Sequence, residues 1–157
     1  MQYTSAIKSA AAVLGIFAVG AVGEPLSASP GVGVTAQVFV TATLVDDTAI
    51  NHDRIKVQTK DPVTVRVQKL TFAPNSNSGW HHHPGAVVVA VQSGSVTFTD
   101  SQCNSKTYGP GMPDGSVFVE GDDDANVARS AEGAIAYVTV LAPGTVFRIE
   151  DPAQSCP

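Results

Sequence analysis

Three of the chain's four histidines and its only tryptophan lie within seven residues, Gly79-Trp80-His81-His82-His83-Pro84-Gly85. Neutral imidazole is the commonest metal ligand among side chains. In an extended strand, residues two apart share a face, so His81 and His83 project together and His82 points the other way. Two imidazoles side by side make half of a metal site. Catalytic zinc and iron centres generally take three protein ligands and keep a position open. The third must come from elsewhere in the chain, and Glu120 and Asn126 are the leading candidates, with Asp124 and Gln92 behind them. His82 and Gln92 would offer polar contacts to a small ligand, and Trp80 would either stack on that ligand or pack within the strand. Without a metal, the same histidines would serve as hydrogen-bonding groups at a pocket mouth, or capture nickel or copper weakly.

Other chemistries lack a signal. No nucleophile elbow, phosphate-binding loop or dinucleotide-binding glycine pattern occurs. Asp122-Asp123-Asp124 lacks the spaced oxygens of a calcium loop and reads as a solvated turn. A net charge of −5 with no basic stripe argues against a nucleic-acid partner.

The elements that must position these groups are strands. Val34 to Leu44 and Val63 to Phe72 alternate apolar and polar residues, and Ile55 to Thr59 repeats the pattern. Ala73 to Gly79 is a loop by composition. Ala86 to Val91 is apolar throughout, which predicts a strand buried on both faces. Further strands are predicted at Val96–Thr99, Ser116–Val119, Asn126–Arg129, Ala134–Leu141 and Val146–Ile149, while His52 stands alone in a loop. No stretch after residue 30 carries a helical apolar period. Many short strands separated by Gly, Pro and Asp turns predict one all-β domain, a sandwich or barrel.

The N-terminus predicts an export signal over residues 1–28. Lys8 precedes an apolar run from Ala10 to Val22, followed by small residues ending near Ser27-Ala28-Ser29. The run is short for a membrane span, so no membrane association is expected after cleavage, which would follow Gly23 or Ala28. The mature domain is then residues 29–157, with its core over about 60–150, in a secreted or extracytoplasmic protein. In that setting the only two cysteines, Cys103 and Cys156, are most simply a disulfide.

The run Gly79 to Gly85, followed by an apolar strand and Gln92-Ser93-Gly94-Ser95-Val96, resembles the first motif of the cupins. More narrowly, the layout is similar to small secreted actinobacterial cupins. Ala73-Pro74 stands ahead of the motif, Tyr108-Gly109-Pro110-Gly111 forms a hairpin, and Ala142-Pro143-Gly144 turns the chain before a Cys-bearing tail. The resemblance implies a single-domain cupin-type β-barrel or jelly roll behind its signal helix, and pairing into a homodimer. It also implies one divalent transition metal (iron, manganese or zinc) on His81 and His83, with a small-molecule ligand at the barrel mouth.

Two departures stand beside it. Val87 occupies the slot where the family pattern carries a glutamate. Asn126 and Ser130 occupy those where the second motif carries histidine and asparagine. These losses favour a small-molecule-binding module with a partial His-x-His site. The retained histidine pair favours a metal-dependent enzyme of oxygenase or isomerase type, with a residue such as Glu120 completing the site.

Overall fold

A computed structural model describes residues 29–121 and 123–156; the expected export signal and Asp122 lie outside them. In chain order the strands are β1 (Val32–Leu44), β2 (Thr48–His52), β3 (Ile55–Thr59), β4 (Val63–Asn77), β5 (His81–His82) and β6 (Ala86–Gly94). They continue with β7 (Val96–Thr99), β8 (Ser105–Tyr108), β9 (Val117–Glu120), β10 (Val127–Ser130), β11 (Ala134–Ala142) and β12 (Ile149–Glu150). Among the described residues there is no helix.

Eight strands form one antiparallel sheet that curls into a nearly closed barrel. Its organiser is β4. Along one edge it pairs with β1, and along the other it pairs first with β11 and then, at Ser76 and Asn77, with β10. One arm of the sheet continues from β11 to β6 and β9, the other from β10 to β7 and β8. A strand that changes partners midway forms a corner between two faces. This is why β4 runs through Ala73–Asn77, where composition predicts a loop: backbone pairing with β10 and with Val32 outweighs weak strand propensity. His52, expected in a loop, ends β2 of an exposed hairpin.

The core fills the barrel from one face of each strand. Val87, Val89 and Val91 of β6 interdigitate with Ala136, Val138 and Val140 of β11 and with Phe72 and Phe118. Each such valine or phenylalanine withdrawn from water stabilises the fold by about 1.5–3 kcal/mol. The all-apolar stretch of β6 is covered on one face only: Val88 is 39% exposed, beside Val117 and Val119 of β9. Antiparallel sheets commonly leave one face to solvent, and here only the inner face is covered by the barrel.

Cys103 and Cys156 form the expected disulfide, closing a 53-residue separation and tying the tail to the turn after β7. Chain entropy values such a loop at up to about 4 kcal/mol. Replacing both cysteines with serine is therefore expected to lower stability by as much as that, read as a fall in denaturant midpoint at unchanged slope.

Candidate metal centre

Only two residues long, β5 is fixed from three directions. It pairs with β12 (Ile149 opposite His82, Glu150 opposite His81), and it exchanges both backbone bonds with Asn126 at 2.8 and 2.9 Å. On the third side, the Trp80 N–H donates to Ser29 Oγ at 2.7 Å. The approach to β5 demands Gly79: its φ is +72°, and a Cβ there would stand 2.1 Å from the Ser29 carbonyl oxygen. Strand alternation then does as predicted. His81 and His83 face the barrel interior, whereas His82 turns outward to Asp151, 2.8 Å away.

The third group is Glu120, the last residue of β9. Its partner across the ladder is Val87 of β6, the residue standing in the family's glutamate slot. The carboxylate absent from one strand is thus offered by the next. Strands β6 and β9 stay this close because Gly121, at φ +118°, has no side chain: a Cβ there would lie 1.9 Å from the Gly85 oxygen. Glu120 Oε2 lies 3.5 Å from His83 Nε2 and 3.9 Å from His81 Nε2. The two rings stand nearly perpendicular with centroids 4.9 Å apart.

Backbone carbonyls set the tautomers. His81 Nδ1 is 2.9 Å from the Gly79 oxygen, and His83 Nδ1 is bonded to the Phe147 oxygen. A carbonyl only accepts, so each Nδ1 carries the proton and each Nε2 presents a lone pair to Glu120. Both rings remain neutral. Burial pushes His81 down to about 3, and the charge of Arg148 adds to the effect. Burial, with Arg148, also lowers His83.

Three potential electron-pair donors converge in a buried space. The donor set fits a divalent transition metal. The ligand atoms of His81, His83 and Glu120 all lie within 4.8 Å of one another. Bonds of about 2.1 Å place adjacent ligands roughly 3.0–3.4 Å apart, so small rotamer adjustments close the site.

These three groups border an interior cavity of about 370 Å³. Its walls are largely apolar, with Leu70, Phe72, Val89, Phe118 and Val138 among them. From β4, however, Arg66 and Gln68 also face inward, so it is the polar side of that alternating strand that meets the cavity. Glu120 further borders an outer cleft of about 470 Å³ that holds Asp100, Asp124 and Asn126.

The other residues singled out in the sequence are not brought to the interior cavity. Trp80 is 4% exposed and packs near Arg129, whose guanidinium carbon is 5.8 Å from the ring. Gln92 is exposed at a register shift between β6 and β11, where it pairs with no residue. Asn126 is buried, and its amide donates to the Asp124 carbonyl at 3.4 Å. Arg66 carried no sequence signal beyond its place on an alternating strand.

No protein-family model and no curated protein sequence matches the chain. Among solved structures it is similar to a cupin-2 domain from Rhodospirillum rubrum, at 12% identity and a TM-score of 0.53. That match covers 81% of this chain and 70% of that one. A Streptococcus pyogenes protein of unknown function aligns at 16% identity and TM-score 0.45, covering 69% and 77%. An oxalate oxidase in complex with the substrate analogue glycolate aligns at 21% identity and TM-score 0.43; the match covers 53% of this chain and under half, 45%, of that one. The chain has the cupin fold.

The neutral histidines carry a stability signature. His81 titrates at 6.5 when unfolded and at about 3 when folded, so between these values the unfolded chain binds the extra proton. Stability therefore rises with pH across that window and is lost as pH falls through it. Metal-free protein is expected to lose thermal stability progressively below pH 6.5, and His81→Gln to flatten that part of the profile.

Proposed function

We propose that this cupin-fold chain holds one divalent transition metal on His81, His83 and Glu120 and acts on a small organic molecule in the barrel cavity. The observation that carries this is the pairing of Glu120 with Val87, which sets a carboxylate against the Nε2 atoms of two neutral histidines. Two histidines and one carboxylate with open positions are the donor set of non-heme iron(II) oxygenases. This favours oxygenase-type chemistry, with manganese or zinc and isomerase-type chemistry as the neighbouring assignment. When bound, such a metal supplies Lewis acidity and, as iron, oxygen chemistry to a ligand on its open side.

The chain's own residues do the rest. Gly79 and Phe147 orient the rings through their carbonyls, as the outer partners of metal-bound histidines generally do. The Glu120 carboxylate offsets part of the metal's charge. Apolar walls exclude water and strengthen each polar contact made inside. An extracytoplasmic location belongs to the same proposal, since a structural disulfide persists in oxidising compartments. A metal-free binding module is the second reading, favoured by Val87 and Asn126 in the family's ligand slots. The metal site is preferred because the ligand atoms of His81, His83 and Glu120 converge within 4.8 Å of one another.

Untagged protein purified without nickel resin is expected to carry near-stoichiometric metal by mass spectrometry. The His81→Ala/His83→Ala pair should abolish it, and Glu120→Val should weaken affinity at least about tenfold. Moving the carboxylate back across the ladder, in the Glu120→Val/Val87→Glu pair, is expected to restore part of the binding. Metal far below one per chain in the wild type, with all variants folded, would overturn the proposal.

A further inference from the structure

Two arginines border the interior cavity, and they differ in what they are bonded to. Arg148 is spoken for: it forms a two-point ion pair with Glu150, at 2.5 and 2.8 Å, and donates to the Ser78 carbonyl at 2.6 Å. Arg66 makes no ion pair and no hydrogen bond among the described residues, and its Nε is buried without a partner. A guanidinium has five donors arranged as a planar fork that matches a carboxylate. Leaving the buried Nε donor unmet is costly. A ligand that meets it recovers that cost.

The position of Arg66 is set rather than incidental. Its guanidinium carbon lies 3.6 Å from the centroid of the Phe147 ring. The carbonyl of the same Phe147 accepts from His83 Nδ1. One residue therefore holds the free cation through its ring and the second histidine through its backbone. Gln68, two positions along the same face of β4, adds an amide to the cavity wall. With Arg148 balanced by Glu150, a bound dication, Glu120 and Arg66 leave the cavity with net positive charge.

We infer that the molecule accepted by this cavity is a small organic acid, its carboxylate held by the fork of Arg66 and its carbon skeleton lying against the apolar wall of Leu70, Phe72 and Val138 on the way to the metal. The inference rests on the metal-site proposal above and supplies that site with a substrate class. A neutral ligand of the same shape would leave the fork unmet, and a phosphate-sized anion alone would leave the apolar wall unused.

Calorimetric titration of the metal-loaded full chain with benzoate and hexanoate, each against its amide, tests this. Both acids are expected to bind, and their amides to bind at least about tenfold more weakly, the effect of losing a charge-assisted hydrogen bond. Arg66→Met, which keeps the length and the contact with Phe147, should abolish the preference for acid over amide while metal content stays at the wild-type level. Arg66→Lys should recover part of it, because the charge returns without the fork. Equal binding of acid and amide, binding unchanged in Arg66→Met, or no binding of either acid at millimolar concentration would overturn the inference and leave the metal site standing. Wild-type protein that purifies with metal far below one per chain yet still binds benzoate through Arg66 would support the carboxylate assignment and overturn the metal-site proposal instead.

Discussion

Two backbone carbonyls decide what the buried histidines can do. Those of Gly79 and Phe147 each accept a proton from an Nδ1 atom, which turns the Nε2 lone pairs of His81 and His83 inward. Burial and Arg148 keep both rings uncharged, so the interior faces Glu120 with donors of electron pairs rather than of protons. Had either carbonyl been turned away, the ring could flip or change tautomer, and the site would be an ordinary hydrogen-bonded core. Much of the surrounding architecture serves this orientation: the glycine that lets the chain into β5, the ladder with β12, and the bridge to Asn126.

The Glu120 carboxylate belongs to a place in space rather than to a place in the chain. Val87 and Glu120 are separated by two intervening strands in sequence, yet they are directly opposed across a ladder. Exchanging an acid and an apolar residue between such neighbours conserves what the cavity meets while erasing the sequence motif. Cross-strand partners lie close enough, at roughly 5 Å, for the exchange to keep the carboxylate within reach of the same point.

What the sequence disclosed follows the same division. Local features were legible: the strand periodicity, the shared face of His81 and His83, the outward turn of His82, and a cysteine pair in need of a bond. The cupin fold was legible through its histidine motif. Features set by distant pairing were not. Whether Glu120 faced inward depended on the register of β9 against β6. That Gln92 falls outside the cavity depends on a register shift against β11, and the extension of β4 past Ala73 on its meeting with β10. That the polar face of β4 meets the cavity was not legible, because alternation states that two faces differ, not which one meets the core. Of the two roles open to Trp80 in the sequence, stacking on a ligand or packing within the strand, its burial near Arg129 matches the second.

The disulfide bears on more than stability. The tail between β11 and Cys156 supplies the Phe147 carbonyl, the Arg148–Glu150 pair and the Asp151 contact to His82, so one wall of the site is made from the chain's last segment. Fastening that segment through Cys156 suppresses the detached states in which His83 has no orienting partner. If the site holds a metal as proposed, its occupancy and closure of the bond are coupled equilibria. Each must favour the other by the same free energy, because both select the docked tail.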